Sequence, residues 1–102
     1  MNKLIALLAA LAATAAAPAF ANDKLAQEKS CMACHAMDKK LIGPAFKDVA
    51  AKYAGEKGIA DKLAEKIMKG GAGSFGPVAM PPNPQVSAEE AKTLANWVLS
   101  VK

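Results

Sequence analysis

Along the second half of the chain, apolar residues recur three and four positions apart, and the repeat restarts after each cluster of glycine or proline. Phe46, Val49, Ala50, Tyr53 and Ala54 fall at i, i+3, i+4, i+7 and i+8, the spacing of one face of an amphipathic helix. Pro44 stands where the first residue of that helix is expected. Gly55 stands where a left-handed residue would end it. Ala60, Leu63, Ala64, Ile67 and Met68 repeat the spacing in a further helix, stopped by Gly70-Gly71. Ser87-Ala88-Glu89-Glu90 has the form of a capping box, with Ser at the N-cap and Glu at N3. The helix after it is expected to bury Ala91, Leu94, Ala95, Val98 and Val101 on one face, with Trp97 at its edge. Upstream, Asn22 or Asp23 is a candidate cap for a helix running through Leu25, Lys29 and Met32. No segment shows sustained alternation and none repeats another. The fold class is therefore all-α, with about four helices.

Two stretches do not fit this helical pattern. Between Gly70 and Val86 there is no periodicity, and the segment holds four Gly and four Pro. A loop this long in a small domain needs a reason to exist. Its prolines, in Gly76-Pro77-Val78-Ala79-Met80-Pro81-Pro82-Asn83-Pro84, stiffen it enough to hold one side chain at a fixed place. The other stretch is residues 1–21. Lys3 gives a short positive start, Leu4 to Ala17 is apolar but for Thr14, and Ala19-Phe20-Ala21 is an A-x-A cleavage site. That is the layout of a secretory signal peptide. The apolar run is 14 residues, short of the roughly 20 a membrane-spanning helix requires. Residues 22–102 then form one domain, expected to be exported and to have no stable membrane insertion once the leader is cleaved.

The chain has 102 residues and a formal charge of +4, which falls to +3 when Lys3 leaves with the leader. Arginine is absent, which argues against nucleic acid, where the guanidinium fork reads bases and phosphates. The lysines are either solvated helix faces or, at Lys39, Lys40 and Lys47, a patch that could guide an acidic partner protein. A mature domain of 81 residues buries too little apolar surface to be comfortable alone and usually needs a staple.

The staple is suggested by Cys31-Met32-Ala33-Cys34-His35, which contains both cysteines and the only histidine. A thioredoxin-like pair would want a βαβ setting, a zinc site would want further Cys or His ligands, and a plain disulfide leaves the histidine unexplained. Haem attachment accounts for all three. Each thiol forms a thioether with a vinyl group, the three-residue step puts both sulfurs on one helix face, and His35 turns its ring to the iron. The sixth iron position remains open to a methionine, another side chain, water or nothing. Met32 lies inside the motif, Met37 just beyond it, and Met68 on an apolar stripe. Met80, on the stiff loop, is hardest to explain as core.

The motif, with Gly43-Pro44-Ala45-Phe46-Lys47-Asp48-Val49, Met80-Pro81-Pro82-Asn83 and Ala95-Asn96-Trp97-Val98-Leu99-Ser100, resembles the small bacterial class I c-type cytochromes, the cytochrome c-551 group. The resemblance runs over essentially the whole mature chain. It implies a four-helix fold around one covalently bound haem c, with His35 and Met80 as axial ligands. It further implies a bond from His35 to the carbonyl of Pro44, and Asn83 near the axial sulfur. The implied function is a monomeric periplasmic electron carrier, not an enzyme, serving membrane cytochrome complexes, terminal oxidases or nitrite reductase. The rival is a haem peroxidase or gas sensor with a sixth site that can be vacated, which would want distal acid–base groups. Two positions depart from the group's pattern. Phe75 and Lys66 stand where many relatives hold a haem propionate with Trp and Arg, and Phe has no N–H to donate.

Overall fold

The structure, a computed structural model, describes residues 19–102. The proposed leader lies outside them, apart from its last three residues. Four α-helices follow in order, α1 (Ala19–Glu28), α2 (Phe46–Lys52), α3 (Ile59–Lys69) and α4 (Ala88–Leu99), with a 3₁₀ turn at Cys31–Ala33. Among the described residues there is no strand, only one antiparallel bridge between Gly71 and Met80. The domain is all-α. No helix among them is long and apolar enough to cross a membrane.

The helix α4 is the centre of the packing, with α1, α2 and α3 all laid against it. Its N-terminus is closed as its sequence requires. Glu90 N donates to Ser87 Oγ at 3.1 Å and Ser87 N donates to Glu90 Oε1 at 3.0 Å, which satisfies two of the otherwise unpaired amides. The buried face is Ala91, Leu94, Ala95, Trp97 and Val98. Trp97 thus belongs to the core and not to its edge, because its indole meets Phe46 of α2 edge-on, with centroids 5.5 Å apart. Val101 falls beyond the helix and is only partly buried. The helix α3 ends at Gly70, whose positive φ of 72° is a conformation that only glycine adopts readily.

The helix α2 ends at Lys52 with Tyr53 as its C-cap, so Ala54 and Gly55 lie beyond it in a turn and Gly55 is not its terminating residue. Three other boundaries differ from the sequence pattern. Within the described residues α1 spans Ala19–Glu28, so Asn22 and Asp23 lie inside it instead of capping it. It does not run into the cysteine motif. Ser30 adopts φ 67°, a conformation that breaks a right-handed helix, and the motif restarts as a 3₁₀ turn. Pro44 is not the first residue of α2, which starts two residues later behind the N-cap Ala45. The carbonyl of Pro44 faces His35 instead.

Candidate haem site

The 3₁₀ turn carries the two thiols. Cys34 N donates to Cys31 O at 3.2 Å and His35 N to the same carbonyl at 3.0 Å. Residues three apart on a 3₁₀ turn lie one above the other, so Cys31 and Cys34 share a side. Both cysteines are free thiols and partly exposed. Burial pushes the Cys31 thiol above its ordinary pKa of 9.0, with a hydrogen bond at its own backbone opposing the shift. At neutral pH that sulfur is a protonated thiol.

His35 is held from several directions. Its Nδ1 stands 2.8 Å from Pro44 O. A carbonyl oxygen can only accept, so the proton is on Nδ1 and Nε2 keeps its lone pair free for a metal. Phe46 is stacked on the imidazole, 4.9 Å between centroids and 21° between planes. Gly43 approaches so closely that a Cβ built on it would stand 2.5 Å from Cε1 of the ring. Gly43 N also donates to Cys34 O at 2.7 Å, tying the Gly-Pro turn back to the motif.

Met80 is positioned through its backbone. Met80 N donates to Gly71 O at 2.8 Å, and Gly71 N donates to Met80 O at 3.0 Å. Gly70 makes this closeness possible, because a Cβ there would overlap Met80 O and stand 2.8 Å from Pro82 N. Asn83 fastens the same loop to the end of α3. Its backbone N donates to Met68 O at 3.1 Å, and its Nδ2 donates to Ile67 O at 2.7 Å and to Pro81 O at 3.3 Å. The side-chain amide is thus directed at backbone carbonyls, and its Oδ1 accepts from Gln85.

These elements enclose a cavity of about 330 Å³, with a lining that is predominantly apolar. Cys31, Cys34, His35 and Met80 all line it, together with Leu94 and Trp97 from α4. Of the methionines described, Met80 alone does so. Met32 and Met68 pack against the hydrophobic core instead, and Met37 is exposed. Lys66 and Phe75 also line the cavity, with Lys66 Nζ donating to Ser74 Oγ at 3.0 Å. The set fits a c-type haem. It has two free thiols on one side of a turn, an imidazole with its lone pair on Nε2, a thioether sulfur, and apolar walls for a flat ring.

Phe46, Gly43 and Gly70 have parts in the site that pattern reading passed over. Phe46 was legible only as a core position of α2. Gly-Pro and Gly-Gly read as turn and helix stop, and nothing in a single sequence reveals which side chain fills the space a glycine leaves.

A family model described as cytochrome c matches residues 21–102. The chain is 60% identical over 80 residues to cytochrome c-551 of Azotobacter vinelandii, covering 78% of this chain and 96% of that one. It is 57% identical over 83 residues to cytochrome c-552 of Hydrogenobacter thermophilus, covering 81% and 84%. The crystal structure of wild-type Nitrosomonas europaea cytochrome c552 superposes with a TM-score of 0.76 at 48% identity, over 78% of this chain and 99% of that chain.

Proposed function

This chain belongs to the cytochrome c family, as a small c-551-type electron carrier with covalently bound haem c, and from that premise we propose that His35 and Met80 are the two axial ligands of its iron. The observation that carries the reading is that both residues line one apolar cavity with the two thiols, each held by hydrogen bonds to the chain around it. The haem supplies a one-electron couple at iron, which a His/Met pair biases toward a comparatively high potential.

The protein's own groups account for the rest. The Pro44 carbonyl fixes the tautomer of His35 and the orientation of its ring, while Phe46 and Gly43 restrict the ring's movement. The Gly71 bridge and the Asn83 contacts seat Met80 against the cavity. Apolar walls exclude water, so few dipoles reorient when the charge in the cavity changes. Ile42 and Val78 line the same cavity yet are 65% and 67% exposed, which puts them at its rim, where a partner protein could approach. Lys39, Lys40 and Lys47 are exposed in the same part of the chain and could steer an acidic surface toward that rim.

The leader-like residues 1–21 support export, and the bacterial periplasm is the compartment proposed. The partners would be periplasmic redox proteins such as membrane cytochrome complexes, terminal oxidases or nitrite reductase. Met80→Ala should abolish the weak methionine-to-iron band at the red end of the ferric spectrum, and a native ferric protein without that band would refute the ligation. Electron-transfer rates with candidate partners should fall as salt rises. Rates indifferent to ionic strength would remove the lysines from the account.

A further inference from the structure

We propose that Lys52 and Phe75 are positioning residues for the sixth ligand, forming a cation–aromatic latch that fastens the middle of the 70–86 loop to α2 and so limits how readily Met80 leaves the iron. The inference rests on the His35/Met80 ligation proposed above.

The loop is well tied at its ends and poorly tied between them. Gly71 and Met80 pair in both directions, and Asn83 bonds to Ile67 and Met68 of α3. From Ala72 to Ala79 the only backbone–backbone bond among the described residues is internal, Gly73 N to Gly76 O at 2.9 Å. Side chains from the two neighbouring helices bridge this gap. Lys52, the last residue of α2, donates from Nζ to Ser74 O. The same ammonium lies 4.5 Å from the centroid of the Phe75 ring and 5.6 Å from that of Tyr53. Tyr53 meets Phe75 edge-on, with centroids 6.3 Å apart and planes at 79°. From α3, Lys66 Nζ donates to Ser74 Oγ. Neither lysine is in an ion pair among the described residues, where the paired lysines are Lys29, Lys69 and Lys92.

Phe75 is 40% exposed, so burial alone does not pin it. A cation over its face does, because the ring's quadrupole attracts the ammonium. This also gives a use for the residue that departs from the family pattern. Phenylalanine has no N–H edge to offer, but it has a face, and Lys52 takes it. The segment between Phe75 and Met80 contains Pro77, whose fixed φ stiffens the link. With the ties at Ser74 and Phe75 gone, the paired amides of Gly71 and Met80 are the nearest restraint left on the middle of the loop, so that pair opens more readily and Met80 leaves the cavity when it does.

An added ligand such as imidazole binds the ferric iron only when Met80 has left, so its apparent affinity scales with the open fraction. Losing the cation–aromatic contact and the charged hydrogen bond should raise that fraction. Imidazole should bind about 3- to 10-fold more tightly to Phe75→Leu and to Lys52→Met. Lys52→Met keeps an unbranched chain in place of the ammonium stem, so packing is largely retained. The double variant should gain less than the product of the two factors, since each single change already opens the same latch. Lys52→Arg and Phe75→Tyr, which keep the cation and the face, should bind imidazole as the parent does.

The assay is spectroscopic titration of the haem-loaded ferric protein with imidazole, alongside its guanidinium unfolding curve. A parent ferric spectrum without the methionine band overturns the ligation, and the latch with it. A parent with the band, and Phe75→Leu and Lys52→Met with unchanged imidazole affinity, overturns the latch alone. Factors that multiply in the double variant, or an effect on imidazole binding that only mirrors lost global stability, also overturn it.

Discussion

Replacing Gly43 with alanine tests whether the imidazole of His35 is held by contact. Gly43 is not among the residues with positive φ, so its backbone would accept any side chain. The conflict is with the ring alone. An alanine Cβ would stand 2.5 Å from Cε1, 2.8 Å from Nδ1 and 3.0 Å from Nε2 of His35. Carbon atoms in ordinary contact are about 3.5 Å apart or more, so ring and turn must separate by about 1 Å. The ring has little freedom to yield, because Phe46 is stacked on it at 4.9 Å and Pro44 O holds Nδ1 at 2.8 Å. Overpacking of this kind costs about 1–3 kcal/mol. If the ring moves, the Pro44 bond weakens, the imidazole becomes a poorer donor, and the ferric state loses more than the ferrous. The potential should then rise, by no more than about 60 mV, the equivalent of a tenfold change for one electron.

Guanidinium unfolding of the haem-loaded protein measures the first effect and potentiometry the second. Gly58→Ala is the control. Gly58 has φ 74° and nothing within 4 Å of its would-be Cβ, so that change should cost about 1 kcal/mol through backbone strain and leave the potential unaltered. A Gly43→Ala protein with the parent's unfolding midpoint and potential would show that the glycine does not constrain the ring.

Gly70→Ala should be more damaging to the proposed ligation by Met80 than to the fold, since its Cβ would overlap Met80 O. The methionine band should weaken while helical circular dichroism is retained, and a full-strength band would refute the account of how the loop is seated. Ser87→Ala removes an N-cap acceptor from α4 and should lower stability by about 1 kcal/mol in denaturant titration; no change would mean that Glu90 alone holds that end. Glu90 has its carboxyl pKa held below the ordinary 4.5 by the Ser87 backbone N–H first, and by Lys29. A lowered folded pKa stabilises the protein above the unfolded value, and the gain is lost as pH falls through the folded one. The loss of stability on acidifying below 4.5 should therefore be shallower in Glu90→Gln than in the parent, as read from thermal midpoints across that range. An identical acid limb would refute it.

Much of the architecture is legible in the sequence. The spacing of Ala60, Leu63, Ala64, Ile67 and Met68 led directly to α3, and Ser87 with Glu90 to the start of α4. Periodicity and capping are local, so a single chain displays them. The first two helices were less legible. Ser30 carries no signal that it will take φ 67°, and Pro44 looks like a helix start until its carbonyl is needed by a side chain nine positions earlier.

The chemistry of this protein was set by local sequence. Two cysteines three apart and an adjacent histidine specify where a haem is attached, because covalent reach depends only on neighbours along the chain. The tertiary structure decided which residues surround the place where that group attaches. Met80 could be singled out by its loop, but the bridge that seats it comes from Gly71, nine residues earlier. The glycine against the His35 ring, and the lysine over Phe75 that ties the loop to α2, are likewise set by folding. Such contacts join residues whose separation along the chain carries no pattern, and they depend on close packing that only the folded chain brings about.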